Sequence, residues 1–436
     1  MFMSGESFLN SDMARICLLT PTQPSVNPRI VKEADALAEA GHQVHVLCGH
    51  TVDWADESDI LLLRKRNWTC SYVGGVPGSM RHWWTRARHG AVRRFPLTWK
   101  VSRDVALCAL ARITPELWAA ALKVDADLYI AHYAGALSAA GAAARRRGVL
   151  LAFDAEDFES GYYAYKSGRR AIDELTEEIE REYLPDCCYV TAASAGVGAA
   201  YAAKYGIAKP ATVLNVFPRS ERPMAFRETD AKTPLKLHWF SQTIGGGRGL
   251  EDVIDAMAML RDANLELHLR GRCASGYQAQ LLRHAKKMGV DPATIRFSPP
   301  CVSEELIRLS AGYDVGLALE PPTTPNRELC VANKIFSYLL AGNAVAATST
   351  TGQKGIVEKL GSAGFLYEPG DCEALARGLR VWHDDRSQLE QARRQAWLLG
   401  ANTFNWDLEK KKLVEVVDSV LNGQESGVAA RSSAVG

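Results

Sequence analysis

The feature that most constrains this chain is an alternation, made twice, of short apolar runs with amphipathic helical stretches. "ARICLLT" (Ala14–Thr20) reads as a buried strand, and Asn27 followed by Pro28 is a helix start, a capping side chain before proline at the first helical position. Ile30, Val31, Ala34, Leu37 and Ala38 fall on one helical face, Gly41 closes the helix, and "QVHVLCG" is the next strand. "DLYIAHY", "VLLAFDAED", "CCYVTAAS" and "ATVLNVFP" (Ala211–Pro218) continue as strands with helical segments between them. After "RSERPMAFRETDAKTP" the pattern restarts with "LKLHWFS", "LELHLRG", "IRFSPP", "DVGLALE" and "AVAATS", again separated by helices. Parallel strands need such crossovers, and their sheets are covered on both faces. The expectation is therefore α/β, with two doubly wound Rossmann-like domains facing a cleft. The boundaries read as a polar leader 1–13, a first domain 14–218, a linker 219–234 and a second domain 235–403. A helix over 404–422 and a disordered polar tail over 423–436 complete the chain.

Other classes are excluded by composition. A net charge of +1 over 436 residues does not suit a chain-wide nucleic-acid binder. The ten cysteines are scattered with no C-x-x-C pair, so neither a zinc site nor a disulfide framework is indicated. With no apolar run of about 18 residues, the reading is a cytoplasmic, non-spanning protein.

Chemistry concentrates where loops leave strands. In "LHWFSQTIGGGRGLEDVIDAMAML" three glycines and Arg248 separate an apolar strand from a helix. A helix N-terminus attracts phosphate, glycine admits close backbone approach, and arginine adds a bidentate contact. The alternative is a flexible turn with a solvated arginine. On the first domain, "AFDAED" puts Asp154, Glu156 and Asp157 just beyond a strand end, where carboxylates orient hydroxyls, take a proton, or simply cap the next segment. His132 ends a strand at the same edge, and Asn27 and Arg29 come after the first strand as acceptor or phosphate contacts, with Asn27 equally explained as a cap.

The segment "PPTTPNRELCVANKIFSYLLAGNAVAATSTTGQKG" (Pro321–Gly355) makes a resemblance specific. Its N-K-x-F-x-Y-x-x-A-G helix start, apolar strand and T-x-G-Q turn look like the donor-binding region of GT-B glycosyltransferases, particularly the retaining family 4. "NPRIVKEADALAEAGHQVHVL", "LAFDAEDFES", "NVFP", "GRGLEDVIDAM", "LHLRG" and "YDVGLALE" occur in that group's order, covering about residues 14–415, and "FNWDLEKKKLVEVVDSVL" resembles its C-terminal helix crossing back to the first domain. The resemblance implies transfer of a sugar, with retained configuration, from a nucleotide diphosphate (a UDP- or GDP-sugar) to a hydroxyl of a glycan or lipid-linked acceptor, in polysaccharide or glycoconjugate synthesis. No cofactor is then held permanently, and with no D-x-D suitably placed no metal is expected. Arg248 and Lys334 would stabilise the leaving diphosphate, and Asp154, Glu156, Asp157 and His132 complete the expected catalytic set. Donor contacts would come from Gly246, Gly247, Gln242, Arg270, Glu320, Glu328, Asn333 and Ser337.

Two departures bear on this. The family's usual pair of donor-region glutamates falls on Leu329 and Ser337 here, so Glu320 or Glu328 would have to hold the ribose. Its usual arginine on the phosphate loop is also missing, with Gln242 and Thr243 in that area. An epimerase on the same fold and a non-catalytic binding subunit are the alternatives. Finally, residues 60–103 carry ten Lys/Arg and no Asp or Glu, with Trp68, Trp83, Trp84 and Trp99 interleaved. That composition points to an anionic membrane surface, and so to a peripheral protein of the inner face. The rivals are single-stranded nucleic acid, which is not the expected partner, and a solvated loop whose tryptophans enter the core.

Overall fold

A computed structural model describes residues 13–52, 55–94, 106–163 and 170–432. The chain divides into two compact units: residues up to Ala192 with Gly198–Val213 and Lys410 onward, and Ala193–Val197 with Leu214–Glu409.

The first unit holds a parallel sheet of β1 (Arg15–Thr20), β2 (Gln43–Gly49), β3 (Thr69–Val73), β4 (Leu128–His132), β5 (Leu150–Ala155), β6 (Cys187–Ala192) and β7 (Ala211–Thr212). Their spatial order is β3-β2-β1-β4-β5-β6-β7, so the winding direction reverses between β1 and β4. The crossover and flanking helices are α1 (Pro28–Glu39), α2 (Asp56–Leu63), α3 (Met80–Arg94), α4 (Thr114–Ala121), α5 (Ala134–Arg147), α6 (Arg170–Tyr183) and α7 (Ala195–Tyr205). Every residue of β4 and all but the first of β1 and β5 are buried, as expected of central strands covered on both faces.

The second unit holds β8 (Leu235–Ile244), β9 (Leu265–Cys273), β10 (Ile295–Ser298), β11 (Val315–Ala318), β12 (Ala344–Thr348) and β13 (Gly364–Tyr367), in the order β10-β9-β8-β11-β12-β13. Its helices are α8 (Leu250–Met259), α9 (Tyr277–Met288), α10 (Ser303–Ser310), α11 (Pro325–Leu329), α12 (Asn333–Ala341), α13 (Thr351–Val357), α14 (Cys372–Asp384) and α15 (Arg386–Asn402). The reversal falls between β8 and β11. One core joins Leu237, Trp239, Leu267, Leu317 and Ala346 of the sheet to Val253, Ile254 and Met257 of α8. Both sheets thus have the doubly wound form, and ligands of such sheets bind at carboxyl ends beside the reversal.

Three elements differ from the sequence reading. The strand expected over Ala211–Pro218 is only Ala211–Thr212, because beyond it the Leu214 N–H donates to the Glu409 carboxylate (2.9 Å) instead of a neighbouring strand. The last helix, α16 (Trp406–Ser432), continues past residue 422 into the segment read as a disordered tail, extending its hydrogen-bond ladder one residue at a time. The basic segment, for which no element was read, contains β3 and α3 among its described residues, while Trp99, Lys100 and Arg103 lie outside them.

Candidate functional site

In the first unit, helix α1 begins as its sequence dictates: Asn27 Oδ1 accepts from the N–H groups of Arg29 (3.2 Å) and Ile30 (3.3 Å), ahead of Pro28. Asn27 is therefore a cap, and it is buried. Arg29 turns inward. Its Nε and Nη2 donate to Asp154 at 2.5 and 2.7 Å, and Nη1 donates to the Val213 carbonyl at 2.8 Å. Asp154 also accepts from Thr191 Oγ1 (2.6 Å) and lies 3.4 Å from His132 Nδ1, while His132 Nε2 meets Glu33 at 2.7 Å. Arg29, Glu33, His132 and Asp154 are each at most 3% exposed. Asp154 and His132, expected in catalysis, and Arg29 and Asn27, expected in acceptor binding, are all enclosed, Asn27 on its own helix start and the other three in one network.

Electrostatics agree with a structural network. Burial alone would raise the Asp154 carboxyl, but the Arg29 guanidinium outweighs it and holds it down at about 2. Burial would lower His132, yet the Glu33 and Asp154 carboxylates raise it. The ligand atoms of Glu33, His132 and Asp154 lie within 4.8 Å of one another, close enough for a metal ion. Arg29, bonded twice to Asp154, already supplies the positive charge that such an ion would bring.

The accessible chemistry lies one residue further along these strands. Tyr133, directly after β4, has φ 72° and ψ 149° and is the one non-glycine residue at positive φ among those described. Such a backbone costs about 1–3 kcal/mol and collects at functional sites. Its hydroxyl donates to Glu156 (3.2 Å), while both Glu159 oxygens accept from the Ala134 N–H at the start of α5 (3.1 Å). Glu156 and Asp157 are partly exposed. Burial, helped by Asp157, raises the Glu156 carboxyl. Sequence reasoning missed Tyr133, Glu159, Glu33 and Thr191. Only Glu33 left a signal, one turn after Arg29 on the apolar side of α1.

In the second unit, β8 pairs Phe240 with Arg270 and then Thr243 with Arg272, so β8 carries one extra residue between them. Such a bulge bends a strand and re-aims the residues beyond it, which here form the glycine loop. Gly246 and Gly247 are exposed, and a Cβ at Gly247 would meet nothing within 4 Å. The backbone there is open to a ligand. Gly249 is the constrained glycine: φ is 73°, and a Cβ would lie 2.7 Å from the Leu319 carbonyl oxygen. Gly249→Ala should therefore cost about 2–4 kcal/mol in strain and clash, read as a lower denaturant midpoint at unchanged m-value. A stability equal to that of the parent would show that the loop can re-route.

Gly249 also ties this loop to the end of β11, since Leu319 precedes Glu320. Glu320 Oε1 is ion-paired with Lys334 Nζ, and its Oε2 is buried with no hydrogen-bond partner among the described residues. Lys334, in the first turn of α12, lies 5.7 Å above the Trp239 ring. Arg248 makes no ion pair or hydrogen bond among the described residues, and it is half-buried. Neither α8 nor α12 has a side-chain cap: Gly249 and Ala332 occupy the N-cap positions. Helices α13, α14 and α15 are capped by Thr350, Asp371 and Asp385. The starts of α9 and α10 also lack a side-chain cap. Of the uncapped starts, those of α8 and α12 flank the sheet reversal, each with a cation.

The remaining donor-side candidates separate. Gln242 and Asn333 are exposed. Arg270 Nη1 donates to the Pro299 carbonyl (2.9 Å). Glu328 Oε1 accepts from the Thr351 N–H (2.9 Å) and hydroxyl at the start of α13. Ser337 lies on the inward face of α12, fully buried, so its hydroxyl does not face solvent.

Residues 26–218 match the family model of a glycosyl transferase 4-like domain. No curated protein matches the chain by sequence. Among solved structures, HepE from Anabaena in complex with UDP and glucose is 16% identical, with a TM-score of 0.67 over 93% of this chain and 100% of that one. Sucrose-phosphate synthase from Thermosynechococcus elongatus is 14% identical, with a TM-score of 0.67 over 94% and 100%. The lipopolysaccharide outer core galactosyltransferase WaaB, in its apo form, is 12% identical, with a TM-score of 0.61 over 93% and 99%. The shared fold is GT-B, two Rossmann-like domains.

Proposed function

From a chain with the GT-B fold, whose residues 26–218 match a glycosyl transferase 4-like domain, we infer a glycosyltransferase that uses a nucleotide-diphosphate sugar. The observation that carries this reading is the pair of uncapped helix starts, α8 and α12, each beside a cation at the sheet reversal of the second unit. When the bond between the anomeric carbon and the diphosphate breaks, the electron pair leaves on a phosphate oxygen. Unpaired N–H groups and fixed cations stabilise that charge. Arg248 is available without breaking any internal contact, and Lys334 exchanges or shares Glu320 with the diphosphate.

In this reading Gly246 and Gly247 admit the phosphates, and the unpartnered Glu320 oxygen accepts a donor hydroxyl, a role that Ser337 does not fill. Glu156 and Asp157, not Asp154, engage the acceptor hydroxyl. The reaction needs no metal, retains the anomeric configuration and serves polysaccharide or glycoconjugate synthesis at the inner membrane face. UDP is the first nucleotide to test, since HepE was solved with it.

Thermal-shift and calorimetric titration with UDP, GDP, ADP, dTDP and CMP, with and without magnesium, tests the reading. One diphosphate should bind without metal and, at a hundredfold excess over its Kd, stabilise the chain by about 2.7 kcal/mol. Binding of none of them would favour a non-catalytic role. Conversion or hydrolysis of the donor, with no acceptor modified, would favour epimerase-type chemistry.

A further inference from the structure

We propose that the outer face of α3 docks the first unit flat on an anionic lipid bilayer. The docking presupposes that the enzyme works at the inner membrane face, and it specifies the surface that meets the lipid. Helix α3 is anchored on one side only. His82, Thr85 and Val92 are buried, with Val92 packed against Cys108, Ala109 and Leu175. Arg112 donates to Thr85 Oγ1 (3.2 Å) and contacts His82 Nδ1 (3.0 Å), and Arg88 grips Glu116 with two bonds of 2.7 and 3.0 Å.

The opposite side carries Met80, Trp83, Trp84 and Ala87, spaced i, i+3, i+4, i+7, so they form one stripe along the helix. Met80 is 90% exposed, Trp83 61% and Trp84 64%. Large apolar side chains left together at such exposure mark an interaction surface. Arg81 and Arg86 flank the stripe, and Arg93 and Arg94 close its end, all exposed. An apolar stripe bordered by cations is the pattern of a helix lying in the headgroup layer, where tryptophan is favoured and arginine reaches lipid phosphate.

Charge selects the occupant. Residues 60–103 contain ten Lys/Arg and no Asp or Glu, so a symmetric contact with a second copy would bring arginine stripes against each other. An anionic bilayer complements them. Trp68 is not part of the surface: it is buried, and its Nε1 donates to Asp35 at 2.7 Å.

The test is flotation of the full chain with vesicles of phosphatidylcholine alone and of equal phosphatidylcholine and phosphatidylglycerol. The chain should float with the anionic vesicles only, and less as salt rises. Trp83→Ser with Trp84→Ser should weaken partitioning about tenfold or more, the scale of lost apolar burial. Arg81→Glu with Arg86→Glu should weaken it roughly fivefold or more per arginine. Because these side chains are exposed, both variants should keep the parent's melting temperature and nucleotide binding. That control separates failure of docking from failure of the donor reading. Absence of flotation by the intact chain would overturn the proposal. So would unchanged flotation by both variants, a dimer lost on Trp83→Ser, or tight binding of a single-stranded oligonucleotide without any of vesicles.

Discussion

Arg248→Ala is expected to lower kcat/KM for sugar transfer roughly a hundredfold or more while leaving stability nearly unchanged. Losing a preorganised contact to developing charge costs about 2–4 kcal/mol of transition-state stabilisation. The folded chain loses little because Arg248 makes no ion pair or hydrogen bond among the described residues. Lys334→Ala should impair transfer on the same scale but behave differently in the free protein. It strands Glu320, whose other oxygen already has no partner among the described residues, so part of its stability loss should be recovered in the double variant with Glu320→Gln. Steady-state kinetics with the nucleotide sugar, set beside denaturant melts, reads both quantities. Near-parental turnover of Arg248→Ala would remove that arginine from the mechanism.

Asp154→Ala should instead destabilise the chain, by about 3–5 kcal/mol, because it leaves Arg29 buried without its counter-charge. The effect should appear in the urea midpoint before any assay of transfer, and Asp154→Asn should be milder. The same network predicts how stability depends on pH. The Asp154 carboxyl sits at about 2 in the fold against an ordinary 3.8, so its contribution is present above about pH 4 and is lost as pH falls toward 2. At 1.36 kcal/mol per pKa unit this amounts to about 2 kcal/mol. His132 is raised, so its contribution is full below about pH 6.5 and is lost as pH rises through its folded value. Urea midpoints across the range from about pH 2 to about pH 9, for the parent and for His132→Asn, would show both limbs. A flat profile in the parent would mean that the network does not couple to folding.

Most of the fold was legible because strand and helix periodicities are local. Gln43–Gly49 and Leu250–Met259 could be read from spacing alone, and the glycine loop sits between strand and helix as expected. The strand over Ala211–Pro218 was overextended because nothing local shows that the Leu214 N–H is taken by Glu409, far along the chain. The site was half legible. Arg248 and Lys334 stand at helix starts, where their sequence context put them. For the carboxylates and His132, sequence gives proximity to a strand end but not direction.

By itself the sequence determined the alternation of elements, the two sheets, the glycine loop between strand and helix and the basic aromatic stretch, since each depends on neighbours a few residues apart. Tertiary structure alone decided which charged groups are free. Arg29 and Asp154 are 125 residues apart in the chain yet neutralise each other in the interior, and Trp68 is buried where Trp83 and Trp84 are not. The reason is physical: a charge taken out of water must find its partner, and partners supplied by other strands come into reach only once the sheet has assembled.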